Sequence, residues 1–339
     1  MAEYLIQGET LTSMGDQVRT ISGTPNTMSP SDMITNLEAA NTEITNQVSL
    51  ISQIAAALDG KAAGSSTEIE DSLIDGSITS YTNGRVTTVA SYAFTSNYNL
   101  TDVNFPAATS VGYYAFSGCR NLKNVSFPAA ISMGEGAFNR CYALENVSFP
   151  NVTKVPNFGF YSCSKLTTVS FPVASSVGMN AFYGCSKLVS ASFPAVTYIS
   201  DSAFYSCGSL TAASFPVASY IGSSTFAYCR SLATISFPAA TYIGASAFHY
   251  CDSLTTVSFP AVSSIATYTF RYCYNLSSLY LTGNSVCTLG NSNAFSSTPY
   301  TGYSGSFSGT PYIYVPASLL TSYQNATNWT YFSSYFIGI

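Results

Sequence analysis

The side chains that most often carry catalysis are scarce in this chain, and they do not recur together. His249 is the only histidine, and neighbouring repeats have Tyr, Ser or Arg at its position, which favours a surface substitution over a catalytic base. Asp201, Asp252, Glu135 and Glu145 lie at unrelated repeat positions, whereas glycoside hydrolysis needs two facing carboxyl groups. No cysteine pair has zinc-site spacing, and no glycine-rich phosphate loop precedes a helix. We therefore predict no catalytic residue, no metal site and no cofactor.

Tyrosine is the residue type whose pattern predicts a binding surface. Three sets of tyrosines recur at 22-residue steps, and each set should stack at about 5 Å per step along the molecule. Tyrosine beside Ser, Asn and Gly is typical of antibody paratopes, because its ring offers rigid contact area. The predicted receptor-binding residues are Tyr161, Tyr183 and Tyr205; Tyr198, Tyr220 and Tyr242; and Tyr228, Tyr250 and Tyr272. The alternative is that these rows only stabilise the protein surface.

The tyrosines belong to a 22-residue repeat that runs without insertion over residues 100–275. A Phe-Pro pair recurs from Phe105 to Phe259, and a second phenylalanine recurs from Phe116 to Phe270. Leu-x-x-Val-x-Phe alternates apolar and polar residues, which predicts a short strand that the proline ends. Residues 246–251 are typical of the tight helical turn that follows. Because such units bury their apolar face only by stacking, the predicted fold class is a repeat solenoid of short parallel β-strands and helical turns.

The chain contains nine cysteines, and eight of them share one repeat position, from Cys119 to Cys273. Equivalent positions on stacked coils lie about 4.8 Å apart, a distance that a disulfide tolerates. A row of parallel, inward-pointing side chains nevertheless fits poorly with the roughly 90° torsion of an S–S bond. We therefore expect free, buried thiols that pack as small apolar groups, rather than disulfides.

A different pattern, over residues 30–59, predicts an α-helix that begins at the Ser29-Pro30 cap. Its apolar residues are spaced alternately three and four apart, which is the seam of a coiled coil. The seam also includes Ala55, and the predicted oligomerisation residues are Ile34, Leu37, Asn41, Ile44, Val48, Ile51 and Leu58. A lone asparagine in such a seam commonly fixes its register. The alternative is a single amphipathic helix that packs within its own chain.

These patterns divide the chain into five parts. Residues 1–29 are a turn-rich N-terminal segment, residues 30–59 the helix and residues 60–77 a flexible linker. Residues 78–275 form the solenoid, which begins with an imperfect coil. Residues 276–339 are predicted to form a C-terminal cap, with a strand at Tyr312–Val315 and a short helix over residues 317–328.

Composition excludes two classes of partner. Charged residues make up only 8% of the chain, and a net charge of −5 with 11 Lys+Arg provides no basic patch for nucleic acid. No apolar run approaches the roughly 18 residues of a membrane span, so we expect no membrane insertion. The first residues lack the charged and apolar regions of a secretory signal, so no signal peptide is predicted.

The combination of Leu-x-x-Val-x-Phe with Ala-Phe-x-x-Cys-x-x-Leu resembles the BspA-like leucine-rich repeats of bacterial and phage surface proteins. The resemblance covers about residues 78–281 and implies a solenoid of the leucine-rich-repeat type. PYIYVPASLLTSYQNATNW is similar to an ending often found behind such repeats. The first forty residues, especially GETLTSMGDQVRTISGTPNTMSPSDM, resemble the N-terminal module of tail-associated proteins of phages and prophages of gut Firmicutes. A bacterial surface adhesin of the repeat family should carry a signal peptide or a cell-wall anchor, and none is predicted here.

These resemblances imply a non-enzymatic, tail-associated structural protein of a phage or prophage. It would be assembled in the host cytoplasm and act extracellularly on the virion tail. Residues 1–29 would be its attachment segment to other tail proteins, and the solenoid would bind a glycan or protein of the host surface. A homo-oligomer is expected, a trimer rather than a dimer by analogy with threefold phage fibres. The alternatives are a bacterial BspA-like adhesin and a surface-polysaccharide hydrolase, which the missing carboxylate pair opposes.

Overall fold

The computed structural model describes residues 79–302 and 309–339, which belong to one compact unit, Gln53–Ile339. The N-terminal segment, the predicted helix with its oligomerisation residues and the linker all lie outside the described residues, so those interpretations stay predictions. The described part is a continuous solenoid of 22-residue coils, as the repeat predicts. Each coil has three sides.

The first side of each coil is a three-residue strand whose middle side chain points into the core. Leu-x-x-Val-x-Phe produces this burial, because alternate residues of a strand face opposite sides. Strands of successive coils pair in parallel with equivalent residues aligned, for example Ser190 with Ala212. The strands are β1 (Ser80–Thr82), β3 (Asp102–Asn104), β5 (Asn124–Ser126), β7 (Asn146–Ser148), β8 (Thr168–Ser170), β10 (Ser190–Ser192), β12 (Ala212–Ser214), β14 (Thr234–Ser236), β16 (Thr256–Ser258) and β18 (Ser278–Tyr280).

The second side is a two-residue strand that follows the Phe-Pro turn. Its second residue is a buried Val, Met, Ile or Leu, and its first residue faces outward. These strands also pair in parallel. They are β2 (Thr88–Val89), β4 (Ser110–Val111), β6 (Ser132–Met133), β9 (Ser176–Val177), β11 (Tyr198–Ile199), β13 (Tyr220–Ile221), β15 (Tyr242–Ile243), β17 (Ser264–Ile265) and β19 (Thr288–Leu289).

The third side is a turn centred on the second phenylalanine, and it is not helical. The residues two before and two after this phenylalanine both have positive φ, such as Ser246 (56°) and Tyr250 (57°) around Phe248. Their N–H groups point along the stack, so that Tyr250 N donates to Arg271 O of the next coil at 3.0 Å. The predicted helical turn would direct these N–H groups back into its own coil and leave the neighbouring carbonyl groups without donors. Coil-to-coil hydrogen bonds therefore select the left-handed conformation.

The core consists of two rows of phenylalanine rings that run through the stack. Phe182 is fully buried, and its ring stacks on Phe160 and Phe204 with centroids 5.3 and 5.1 Å away. It also meets Phe193 of the other row edge-on at 5.9 Å. Stacked and edge-to-face pairs each add about 0.5–1.5 kcal/mol beyond the burial of apolar area. Each phenylalanine therefore stabilises its neighbours as well as its own coil.

The cysteines lie beside these rings, and the prediction of free, buried thiols is confirmed for all nine. The structure adds a polar role that the sequence does not reveal. Each repeated thiol contacts the carbonyl oxygen of the second phenylalanine in the preceding coil, as Cys207 Sγ does with Phe182 O at 3.2 Å. The thiol can donate to this buried acceptor, which would otherwise have only one backbone donor from its own turn.

Strand pairing is not continuous through the described stack. On the first side, the strands fall into three sheets, with interruptions between β7 and β8 and between β12 and β14. On the second side, an isolated bridge between Val155 and Val177 keeps these coils joined, with Val155 N donating to Ser176 O at 3.0 Å and Gly178 N donating to Val155 O at 2.9 Å. The strand pairing that is lost on this side is with the preceding coil, because its sheet ends at β6. Pro156 follows that bridge and has no N–H to donate. The coil around Val155 is thus the place where two of the three sides lose regular pairing.

The C-terminal segment closes the last coil. It contains β20 (Tyr312–Val315), β21 (Phe336–Gly338), the α-helix α1 (Leu320–Asn325) and 3₁₀-helical turns at Ser292–Phe295, Pro299–Thr301, Ala317–Leu319 and Thr330–Tyr335. β20 and β21 extend the first side in parallel. Trp329 is fully buried, lies against Phe295 of the ring row at 6.0 Å, and donates from Nε1 to Cys287 O at 2.7 Å. The tryptophan covers the apolar end that the last coil would otherwise expose.

Candidate functional site

The nine predicted tyrosines lie on two surfaces of the solenoid. Tyr198, Tyr220 and Tyr242 occupy the outward position of β11, β13 and β15, and we call them the short row. Their rings are nearly parallel, with centroids 4.6 and 5.1 Å apart. Tyr198 is 45% exposed, so the end of the row is open to a partner. The pKa of Tyr220 is raised by burial, by the neighbouring phenols and by Asp201.

The other six tyrosines form one continuous row, although the sequence suggests two separate sets. This tyrosine ridge comprises Tyr161, Tyr183, Tyr205, Tyr228, Tyr250 and Tyr272, and its ring centroids are 4.4–5.2 Å apart. The first three follow the second phenylalanine by one residue and the last three by two. Tyr205 and Tyr228 join the two halves at 5.2 Å with their planes inclined by 52°. The ridge therefore spans six coils without a gap.

The second half of the ridge lies on strained backbone. Tyr228, Tyr250 and Tyr272 have φ of 63°, 57° and 63°. Preceding coils place small residues at the same position, such as Gly184 and Ser206. The left-handed region costs a non-glycine residue about 1–2 kcal/mol. The coil-to-coil hydrogen bonds impose this conformation in every coil, so in this half three large rings occupy positions that favour small residues.

Charged and polar groups flank this half of the ridge. Arg230 lies over the rings of Tyr228 and Tyr250, with its guanidinium carbon 5.8 and 5.9 Å from their centroids. Arg271 lies 4.6 Å over Tyr272 and donates to its hydroxyl group at 2.8 Å. His249 packs among the ridge tyrosines, and its Nε2 is buried without a hydrogen-bond partner. Burial and, to a lesser extent, Arg271 lower the pKa of His249, which keeps its imidazole neutral at pH 7.

The opposite end of the ridge opens into a depression of about 410 Å³. Its lining comprises Tyr114, Asn139, Arg140, Phe158, Tyr161, Asn180 and Tyr183. The side-chain oxygen of Asn139 is buried there without a hydrogen-bond partner. Arg140 is exposed and has positive φ, at the repeat position that Tyr228 occupies four coils later. Both ends of the ridge therefore combine an arginine with an unsatisfied polar atom.

The first side of the solenoid carries a second depression. It has a volume of about 620 Å³ and is lined by Ser, Thr and Ala of β10, β12, β14 and β16. Beyond its end, Tyr280 and Tyr314 stack at 4.5 Å. The 34-residue separation of these two tyrosines hides their pairing, because it departs from the 22-residue period.

Asp201, Asp252 and Glu135 lie apart in the described part of the chain and do not form a catalytic pair. Asp252 faces Arg230 at 3.6 Å, and burial raises its pKa although the arginine opposes this. Asp201 accepts a hydrogen bond from Ser223 N, whereas Glu135 accepts one from the hydroxyl of Tyr114. Over residues 79–302 and 309–339, no group of three His, Cys, Asp or Glu side chains could hold a metal ion. Within the same ranges, no helix has the length and apolarity that a membrane crossing requires.

Comparison with solved structures finds other leucine-rich-repeat proteins. The T. pallidum leucine rich repeat protein TpLRR is 26% identical over 45% of this chain and 78% of its own, with a TM-score of 0.42. A leucine rich cell surface protein of Faecalibacterium prausnitzii A2-165 is 22% identical over 69% and 78%, with a TM-score of 0.42. A leucine-rich repeat protein of Eubacterium ventriosum is 19% identical over 69% and 81%, with a TM-score of 0.40. None of the curated proteins matches the chain.

Comparison with protein families gives a direct match to the repeat itself. The model described as "BspA type Leucine rich repeat region (6 copies)" matches residues 87–211, 154–277 and 197–304. Together the matches extend from residue 87 to residue 304, which is more than half of the 339 residues. They contain the two phenylalanine rows, the cysteines and both tyrosine surfaces. The chain therefore belongs to the BspA type leucine-rich-repeat family.

Proposed function

We propose that this chain is a non-enzymatic attachment protein whose solenoid binds a receptor on a cell surface through stacked tyrosines. The observation that carries the proposal is the arrangement of nine tyrosines in two ordered rows on a rigid stack of coils. Tyrosine dominates binding hot spots, because it buries much area for little loss of side-chain entropy. Stacking restricts these rings further before any partner arrives, which lowers the entropic cost of binding. The matching family describes a repeat region rather than a catalytic domain, which agrees with a binding role.

The proposed location is the tail of a phage or prophage virion. There, residues 1–29 would bind other tail proteins, and the helix over residues 30–59 would hold the subunits of a homo-oligomer together. This location is supported by the resemblance of the first forty residues. A bacterial surface adhesin is the second candidate, and the BspA type family match supports it equally well. Mass spectrometry of virions purified from the encoding strain, compared with peptides released by protease from intact cells, separates the two. Finding the protein in virions and not on cells supports the tail location, and the reverse result rejects it.

Cell attachment tests the binding role directly. The full chain is labelled and incubated with gut Firmicute cells and with intestinal epithelial cells, beside a variant in which all nine row tyrosines are replaced by Ser. Serine is a conservative choice, because Ser206 occupies the Tyr228 position and Ser176 the Tyr198 position in other coils. The variant should attach at least tenfold more weakly, which corresponds to about 1.4 kcal/mol.

A matched control carries Tyr113→Ser and Tyr331→Ser, which replace two exposed tyrosines outside both rows. This control should attach like the wild type. Equal attachment by the wild type and a folded nine-residue variant would reject the tyrosine rows as the receptor site. Lack of wild-type attachment to both cell types would reject the proposed function.

A further inference from the structure

Groups that could hold an extended ligand are distributed along the whole tyrosine ridge. Asn139 and Arg140 lie at one end, beside the depression that Tyr161 and Tyr183 help to line. His249 and Arg271 lie at the other end, against Tyr272. Asn139 and His249 each bury one polar atom that has no hydrogen-bond partner. Because both atoms are shielded from solvent, the groups that a ligand can reach along the ridge are its phenols and arginines.

We propose that the tyrosine ridge binds a linear acidic polysaccharide that lies parallel to the stack of coils. Its hydroxyl groups hydrogen-bond to the phenol groups of the six tyrosines, and its carboxylates pair with the flanking arginines. This inference rests on the proposed attachment function and specifies the chemical class of the receptor.

The periodicity of the ridge favours a polysaccharide over a compact ligand or a globular protein. The rings recur every 4.4–5.2 Å over six coils, and this spacing is close to that of consecutive sugars in an extended chain. The stacked rings cover one another's faces, so a ligand meets their edges and phenol groups, and each phenol can hydrogen-bond a sugar hydroxyl group. A chain of about six sugars can therefore make the same contact on every coil.

The arginines indicate that the polysaccharide is acidic. Charged residues make up 8% of the chain, yet Arg140, Arg230 and Arg271 all lie beside the ridge. Guanidinium groups bind carboxylates bidentately and keep their charge at any physiological pH. The Asp252 carboxylate lies 3.6 Å from Arg230 and is 31% exposed. Because a solvent-accessible ion pair of this kind is weak, it competes little with a ligand carboxylate for Arg230.

The short row lacks these features and provides an internal comparison. Its tyrosines stack at similar distances, but the charged group that acts on Tyr220 is Asp201. A carboxylate beside the rings repels an acidic chain. Asp252 and Glu135 also lie near the ridge, so the two rows differ in the arginines that accompany the ridge, and these arginines favour an anionic ligand there.

Affinity electrophoresis of the full chain tests the proposal. Native gels contain hyaluronan, alginate or polygalacturonate as acidic polysaccharides, or dextran as a neutral one. The protein carries a net charge of −5, so overall attraction to an acidic gel cannot cause its retardation. We expect the wild type to be retarded by at least one acidic polysaccharide and not by dextran.

Three variants locate the interaction. Tyr183→Ser/Tyr205→Ser/Tyr250→Ser should weaken the retardation at least tenfold in apparent affinity, and Arg140→Gln/Arg271→Gln should weaken it similarly. The short-row variant Tyr198→Ser/Tyr220→Ser/Tyr242→Ser should behave like the wild type. Circular dichroism confirms folding of each variant, and the arginine variant changes only surface side chains. This pattern would support the proposal.

Absence of retardation by all three acidic gels would overturn the inference, as would equal retardation of the wild type and the two ridge variants. Retardation by dextran that matches the acidic gels would also overturn it. Cell attachment of the same wild-type protein distinguishes failure of this inference from failure of the proposed attachment function. If the chain attaches to cells but ignores acidic polysaccharides, the inference fails and the attachment function stands. If it attaches to neither cell type, both fail.

Discussion

The buried thiols should make the solenoid unusually sensitive to alkaline pH. Burial raises the pKa of eight cysteines above their ordinary value of 9.0, for example to about 12 for Cys119 and Cys287. The others are Cys141, Cys163, Cys185, Cys207, Cys229 and Cys251. Above pH 9 the unfolded chain releases these protons while the native chain retains them. Stability is therefore complete below pH 9 and decreases as the pH rises toward the native pKa values.

The magnitude follows from the ordinary pKa alone, as long as the native thiols remain protonated. At pH 10 each unfolded thiol is one unit above its pKa, so each costs the native state about 1.4 kcal/mol. Eight such thiols together remove about 11 kcal/mol, which is comparable to the whole stability of an ordinary domain. A protein with the same fold and no ionisable core would lose far less.

Guanidinium unfolding followed by circular dichroism, in the presence of a reductant, measures this loss at pH 7.5 and at pH 10. For the wild type, the guanidinium concentration at the unfolding midpoint should be much lower at pH 10 than at pH 7.5. The variant Cys163→Ala/Cys207→Ala/Cys251→Ala removes three titrating groups, so its loss between the two pH values should be smaller by about 4 kcal/mol. Its lower stability at pH 7.5 does not affect this difference. A wild-type midpoint that is unchanged at pH 10, or an equal loss in the variant, would refute the reasoning.

Three further predictions concern the same chain. Thiol titration at neutral pH should find few reactive groups in the native protein and nine in guanidinium, because all nine cysteines are buried; rapid native labelling would contradict this. Phe182→Ala should destabilise the protein by about 3–5 kcal/mol and reduce hydrogen-exchange protection mainly in nearby coils; uniform loss across the repeats would show that the coils are not coupled as neighbours. Light scattering should find the full chain multimeric, a trimer rather than a dimer, and a chain that starts at Gly64 monomeric; two monomers would show that residues 30–59 do not associate.

The repeat made the interior predictable. Positions such as Phe182 and Cys207 recur every 22 residues with the same neighbours, so burial follows from stacking alone. The degenerate first coil was also recognisable, since Asn97 stands where later coils have cysteine. The structure explains that exchange, because Asn97 Oδ1 accepts from Leu100 N and closes the turn. Because the coils repeat, a correct interpretation of one coil applies to the equivalent positions of the others.

Backbone conformation and the joined ridge could not be predicted in the same way. Tyr, Arg and Phe disfavour positive φ, so nothing in Tyr228 or Arg140 indicates the left-handed region that both adopt. Hydrogen bonds to the next coil impose it, and these depend on the assembled stack. The union of the two tyrosine sets has a similar origin. Tyr205 and Tyr228 are 23 residues apart, and only the turn geometry shows that a shift of one position keeps the rings in contact.

The interrupted strand pairing around Val155 has a mechanical consequence. If the chain attaches one body to another as proposed, it bears load, and a stack of coils yields where the fewest backbone hydrogen bonds resist separation. At this coil the first side is unpaired between β7 and β8, so backbone hydrogen bonds join it to the next coil on the other two sides, and Pro156 removes a donor toward the preceding coil. Under load the described stack should part there first. The depression that begins the tyrosine ridge is lined from both sides of this coil, by Asn139 and by Asn180. Separation of these coils would therefore move the residues that line this depression before any coil unfolds.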